Sequence, residues 1–442
     1  MLKACFFYKL LTSLENNKII FYNLSMEHVI LSIDLKSFYA SVECLDRNLD
    51  PFSTPLVVAD EERGDGTIVL AASPFIKEKY NVPSRCRLYE VDKNIPGLII
   101  ARPRMERYLK VSALVNMIYL NYVSEEDLYV YSIDESFLDI THYLKHSRNN
   151  PVSYAKKIVK EIKDKTGLTV TVGIGSNIFI AKVAMDIDAK HKKDLIAYWK
   201  EEDIINKLWE VTPLSKMWGI GNRLEKRLNR LGMYKVGDIA SSSKEFMIKK
   251  FGVIGEEIYY HSLGYDDAII SNKIETKNHS LSAGQVLLRN YFYDEIVTLI
   301  KSMSIELSDR MYEINAVCNN YHMYLNFDDN TGISYKFFSS IATSSSEIIG
   351  DGLSKLYLKD IDKFKDKKFR GVYLVACNIY SNDIYQISLF EDEDIKKKQN
   401  DLDKTLISIR KKYGCEKAMP CSAITSSSTF IDRYNQIGGH HK

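Results

Sequence analysis

Residues 28–34, HVILSID, form an almost unbroken apolar run that stops at a carboxylate. A continuous run of this kind suits a strand covered on both faces at the centre of a sheet. Asp34 then stands at the end of a buried strand, where a charge is costly unless it is solvated or paired.

The segments that follow alternate between strand and helix patterns. SFYASVECL places Phe38, Val42 and Leu45 at helical spacing. PLVVAD (55–60) and TIVLAAS (67–73) read as strands around a polar turn, and Ser73-Pro74 opens a short helix with serine as cap. A helix is expected over 104–123 and another over 152–166. YVYSIDESFLDI (129–140) reads as two strands joined at Asp134-Glu135. TVTVGIG (169–175) alternates as a strand, and SNIFIAKVAMDIDAK (176–190) reads as a helix capped by Ser176. Hairpins mix with crossovers, so the pattern predicts an α+β palm-like sheet rather than a doubly wound fold.

Beyond residue 209 the character changes. WGIGNRLEKRLNRLGM (218–233) reads as helix, glycine turn and helix, with Leu224, Leu228 and Leu231 on one face. Residues 268–280 are polar and aperiodic, a linker pattern. A second α+β unit follows over 281–385, with strands near 281–289, 321–327, 333–338 and 371–379 and helices over 293–315 and 345–357. The tail, 386–442, predicts a helix over 393–412 and a loose Ser/Gly-rich end. Residues 1–25 are an extension without an assigned role. Lys9 interrupts their apolar patch and no small-residue cleavage site follows, so they are not read as a signal peptide.

Composition excludes several classes. At 442 residues, 45% apolar and 27% charged, the chain is neither disordered nor fibrous, and its length suggests about three domains. Seven cysteines without a C-x-x-C pair predict reduced thiols rather than a zinc or redox motif. No apolar run reaches the about 18 residues of a membrane span. The net charge is +2, so any nucleic-acid surface must be local.

Three acids carry the chemical signal: Asp34 at a strand end, and Asp134 and Glu135 at the tip of a hairpin whose first strand is also apolar. Taken alone, Asp-Glu at a hairpin is an ordinary solvated turn. Brought together from adjacent strands, such carboxylates repel and call for a cation, and oxygen ligands suit Mg²⁺ or Mn²⁺.

The string IDLKSFYASVE (33–43), then SIDESFLDI (132–140), then TVTVGIGSNIFIAKVA (169–184) resembles the Y-family lesion-bypass DNA polymerases of the UmuC/DinB type, over residues 26–390. The resemblance implies a right hand: palm and fingers over 26–208 (small fingers about 50–95), a helical thumb over 209–267 with a helix-hairpin-helix, the linker, and a separate α+β little finger. It implies template-dependent, error-prone DNA synthesis across lesions from dNTPs, with two Mg²⁺ ions for which Mn²⁺ can substitute. Asp34, Asp134 and Glu135 match the catalytic, metal-binding acids, and the Leu35 carbonyl is a further ligand. Tyr39 matches the steric gate that excludes a 2′-hydroxyl, beside Phe38. Lys36 departs from the acidic or amide residue common at its position.

Other matches concern the substrates. Lys190 matches a triphosphate-binding lysine, with one residue more before it than in some members. In SPFIKEKYNV (73–82) the alignment is poor. Phe75 is the aromatic candidate, and Lys77 and Lys79 compete as the cation. Gly219 and Gly221 resemble a helix-hairpin-helix turn whose amides take a DNA phosphate, with Arg223, Lys226 and Arg227 nearby. Lys336 and Arg370 are candidate phosphate contacts in the second unit. QISLF (386–390) resembles the peptide that binds the bacterial sliding clamp (beta) through Gln386, Leu389 and Phe390. The implied partners are primer–template DNA, damaged template included, dNTP and the clamp; no membrane is implied, and the implied protein is a cytoplasmic monomer. The competing reading is a catalytically inactive, polymerase-like accessory protein that binds DNA and the clamp.

Overall fold

A computed structural model describes residues 28–83, 85–147, 150–272, 279–382 and 393–442. The described residues form two compact units, one holding 28–102 and 106–272, the other holding 103–105, 279–382 and 393–442.

In the first unit β1 (Ile30–Leu35) runs into α1 (Phe38–Leu45). A small sheet follows, made of β2 (Leu56–Val58), β3 (Ala71–Ala72) and β4 (Ile99–Ala101) in the order β3-β2-β4, with α2 (Pro74–Tyr80) after β3. The strand expected over 67–73 is thus reduced to two residues, and Ile68 makes only an isolated bridge to Arg87. Ser73 caps α2 as expected, its hydroxyl accepting from the Ile76 amide. These elements enclose their own apolar cluster around Val57, Val69, Ile76 and Leu88.

After α3 (Met105–Tyr119) comes the hairpin of β5 (Leu128–Val130) and β6 (Glu135–Asp139), then α4 (Pro151–Thr166), β7 (Val170–Gly175), α5 (Ile178–Val183) and β8 (Ile196–Tyr198). Among the described residues the central sheet has the order β5-β6-β1-β7-β8, with β1 antiparallel to both neighbours and β7 parallel to β8. The mixed pattern agrees with an α+β fold. Asn177, not Ser176, caps α5, accepting from the Ile180 amide at 2.8 Å. Two glycines let α5 lie against β7: a Cβ on Gly173 would stand 2.0 Å from the Ala181 carbonyl oxygen, and one on Gly175 2.5 Å from the Ala181 amide nitrogen. Short helices then pack around Trp199, Leu208, Leu228 and Met247. They include α6 (Asn222–Asn229), which is preceded by a 3₁₀ turn rather than the longer helix expected there.

In the second unit β9 (His279–Tyr291), α7 (Ile296–Glu313), β10 (Ala316–Phe327), β11 (Gly332–Thr343), α8 (Ser346–Lys359) and β12 (Phe369–Ser381) form a sheet ordered β11-β10-β12-β9. Its core joins one sheet face to α7 and α8 through Met303, Leu307, Leu353 and Tyr357. The end of the chain is not loose. α9 (Glu393–Tyr413) and α10 (Phe430–Tyr434) belong to a module whose Cys415, Ala423 and Phe430 pack with Ile305 of α7. The Arg410 guanidinium spans both oxygens of Asp309 at 2.9 and 2.5 Å. Tyr434 also donates to Asp309, and Arg433 pairs with Glu306. A few aromatic and arginine anchors order a segment whose serines and glycines read as loose. No described helix is long and apolar enough to cross a membrane.

Candidate active site

Register brings the acids together. Asp34 on β1 lies opposite Glu135 on β6, and the Leu35 amide donates to the Asp134 carbonyl at 2.8 Å. β7 closes the other side, with Thr171 opposite Asp34. Burial pushes the Asp34 carboxyl up to about 6; Lys190 opposes that rise, and Asp134 and Glu135 add to it. Burial likewise raises the Glu135 carboxyl, against the pull of Lys182. Hard oxygen donors at one end of two central strands fit Mg²⁺ or Mn²⁺. Among the described residues they do not form a closed set of metal ligands. Lys182 Nζ donates to Glu135 Oε2 at 2.8 Å, and Ser132 Oγ donates to Asp134 Oδ1 at 2.7 Å. A divalent ion would therefore compete with an ammonium already seated on Glu135.

Tyr39 and Phe38 part company at the start of α1. Phe38 is buried and serves the core, so the structure gives it no open face toward a nucleotide. Tyr39 is half-buried, and its ring stacks on Tyr108 of α3 with centroids 4.4 Å apart at 15°. The Tyr108 hydroxyl donates to Glu43 Oε1 at 2.7 Å, which anchors the stack. Burial raises the Tyr39 phenol, and the Asp134 charge adds to the rise.

The α2 lysines are distinguished by direction. Lys77 Nζ donates to Ser37 Oγ at 3.0 Å, at the turn between β1 and α1 where Ser37 takes a left-handed φ of 51°. Burial lowers the Lys77 ammonium, while Asp34 and Asp134 oppose the change. Lys79 instead lies over the Phe75 ring at 5.1 Å. Lys77 therefore faces the acids, and Phe75 is covered by Lys79 on its own helix. Lys36 lies 3.7 Å from Glu78 and 5.5 Å from the Phe52 ring centroid.

Lys190 reaches the acids through a change of helix type. A π-turn over Ala184–Asp188 follows α5 and holds more residues per turn than an α-helix would. Lys190 Nζ donates to Asp186 Oδ1 at 2.7 Å, and Lys182 lies 3.1 Å from Asp186 Oδ2. The charges of Asp34 and Asp186 raise the Lys190 ammonium, against the effect of burial. Sequence reasoning passed over Lys182 and Asp186. The available signal was a single lysine inside the apolar string IFIAKVA, which predicts a buried cation in need of an acid.

Gly219, with a φ of 92°, and Gly221, the N-cap of α6, form an exposed turn around the buried Ile220. Arg223 is exposed on the first turn of α6, while Arg227 lies over the Phe251 ring at 4.7 Å. A cleft of about 520 Å³ runs beside the turn, lined by Tyr131, Lys182, Asp186 and residues 215–221. In the second unit Lys336 is exposed on β11 and Arg370 is half-buried on β12. Gln386, Leu389 and Phe390 lie outside the described residues.

Residues 33–186 match the impB/mucB/samB family, and residues 201–233 match the IMS family HHH motif. A Bacillus subtilis protein named for UV-damage repair, UvrX, is 34% identical over 414 residues, covering 93% of this chain and 97% of its own length. DNA polymerase IV 2 of Bacillus subtilis is 30% identical over 421 residues, covering 94% and 99%. A solved Y-family DNA polymerase chimera of Dbh and Dpo4 superposes with a TM-score of 0.65 at 23% identity, covering 80% of this chain and all of its own. An insertion ternary complex of Dbh DNA polymerase gives 0.55 at 22% identity, again covering 80% and 100%. Similarity along nearly the whole length to a relative at 34% identity, joined to the family match over the strands that carry the acids, places this chain in the impB/mucB/samB family, the UmuC/DinB-type Y-family DNA polymerases.

Proposed function

We propose that this DNA-directed DNA polymerase of the Y family performs error-prone translesion synthesis by two-metal nucleotidyl transfer. The observation that carries the reading is the pairing of Asp34 with Glu135 in register, beside Asp134, at the end of the central sheet. Bound by Asp34, Asp134, Glu135 and the Leu35 carbonyl, two Mg²⁺ ions would supply an acidified primer hydroxyl and charge neutralisation on the phosphates.

The chain's own residues do the rest. The new bond joins the primer 3′-oxygen to the α-phosphorus of the dNTP. The bond from that phosphorus to the bridging oxygen breaks, pyrophosphate leaves, and the hydroxyl proton passes to solvent. Lys77 and Lys190 face the triphosphate and offset its charge. Tyr39, braced by Tyr108, fills the space a 2′-hydroxyl would need. Gly219 and Gly221 offer backbone amides to a primer phosphate, with Arg223 adding charge. Gln386, Leu389 and Phe390 dock on the bacterial sliding clamp, and that tether raises the effective concentration of primer ends.

Primer extension on undamaged and abasic templates, with Mg²⁺ and either dNTPs or rNTPs, tests this reading. Synthesis across the lesion with dNTPs alone is expected. Asp134→Ala should abolish it and leave DNA binding intact. Absence of extension by the unaltered protein, with DNA still bound, would leave the inactive accessory protein.

A further inference from the structure

We infer that Trp218 is a positioning residue that fixes the distance between the phosphate-binding turn and the catalytic hairpin. The inference rests on the proposed role of Gly219–Gly221. Trp218 immediately precedes that turn, so its ring and the turn's amides move together. The ring makes an edge contact with Tyr131 at 6.0 Å and 82°, and a tilted contact with Phe137 at 6.3 Å. These two partners flank the catalytic pair: Tyr131 lies three residues before Asp134, and Phe137 two residues after Glu135. Tyr131 and Phe137 also touch each other, at 5.7 Å and 76°.

Trp218 is backed from behind. His261 is nearly parallel to it, with centroids 6.3 Å apart at 13°, and stacks on Phe179 of α5 at 4.2 Å. Trp218 thus sits between the His261–Phe179 stack and the hairpin bearing Asp134 and Glu135. It also lines the cleft that runs from Lys182 and Asp186 to Gly221.

A primer held at one phosphate by the turn has its 3′-oxygen placed by the number of nucleotides between that phosphate and the acids. The aromatic group sets the protein's side of this spacing. A small misplacement of a reacting group costs up to about 100-fold in rate. Loosening the spacer should therefore harm the chemical step while leaving primer binding nearly unchanged.

Single-turnover incorporation by the full chain, with primer–template affinity measured by anisotropy, tests the inference. Trp218→Ala should lower the maximal incorporation rate by about 10- to 100-fold, with DNA and dNTP dissociation constants little changed. Trp218→Phe should restore most of the rate. Tyr131→Ala, at an exposed position that carries little folding risk, should show the same loss, and the Tyr131→Ala/Trp218→Ala double variant should lose little more. Weakened DNA binding with an unaltered rate in Tyr131→Ala and Trp218→Phe would overturn the spacer role, as would no change in Tyr131→Ala. Gly221→Val, whose Cβ would stand in open space, tests the turn separately and should raise the DNA dissociation constant. Failure of the unaltered protein to extend any primer would instead strike the proposed function itself.

Discussion

Asp34 and Glu135 face each other across the β1–β6 ladder, and the two carboxyls differ in how their charge is met. Glu135 carries the Lys182 ammonium at 2.8 Å, whereas Asp34 is balanced only at longer range, mainly by Lys190.

Asp34 thus makes the metal-free protein pH-sensitive in a defined direction. Its folded carboxyl titrates near 6, above the ordinary carboxylate range that it has when unfolded. Between about pH 4 and 6 the folded state binds more protons, so stability falls as pH rises through that window. The full effect is about 3 kcal/mol. Urea unfolding at several pH values should show this slope, and Asp34→Asn should reduce it, leaving the part of the same sign that the raised Glu135 carboxyl contributes. A slope of opposite sign in the unaltered protein, absent from Asp34→Asn, would sink the assignment.

Lys182 and Glu135 form a buried pair, and breaking one side leaves the other charge uncompensated. Lys182→Met should cost about 3–5 kcal/mol in unfolding free energy. Adding Glu135→Gln should return most of that loss, because two neutral groups then replace the pair. Equal stability of the single and double variants would show that the ion pair is not the source.

Tyr39 is held by a ring stack, not by its hydroxyl. Tyr39→Phe should keep rejection of rNTPs, while Tyr39→Ala should admit them and reduce discrimination by about 100-fold or more. Tyr108→Leu should give an intermediate loss by freeing the ring. The comparison is the ratio of kcat/KM for dCTP and CTP opposite template guanine.

Arg410 joins the C-terminal module to α7 through Asp309. Arg410→Ala leaves the buried Asp309 carboxylate without its cation, with Tyr434 still donating to it, and should destabilise the second unit by about 3 kcal/mol. Thermal unfolding of the full chain should show a lowered transition for this unit. An unchanged profile would mean that the module adds nothing to its stability.

Asp34 was legible as a charge at the end of a buried strand. Asp134 and Glu135 alone read as a solvated turn, and only the resemblance carried by IDLKSFYASVE and SIDESFLDI singled out the three acids together. Tyr39 and Lys190 were singled out only by that same resemblance. Lys77 and Lys79 could not be separated in sequence, because two residues on a short helix differ by a rotation that only packing fixes; Ser37 and Phe75 decide between them. Lys182 escaped because an apolar helix string gives no partner for its lysine, and Glu135 is 47 residues away. The ordered C-terminal module escaped for the same reason: Arg410 and Phe430 meet α7 only in three dimensions.

The π-turn over Ala184–Asp188 also has a rotational meaning. On an unbroken α-helix, eight residues turn the chain by about 800°, which would place Lys190 about 80° around from Lys182. The wider turn removes part of that rotation, and the 3₁₀ turn over Ala189–His191 returns only some of it, so the two lysines come closer to one line. Asp186 can then lie between both ammonium groups, as it does at 3.1 and 2.7 Å. The chain so builds an alternating row, Glu135, Lys182, Asp186 and Lys190, along a single edge of the palm. Deleting one residue inside the turn would preserve that alignment as plain α-helix, whereas inserting another would swing Lys190 out of it.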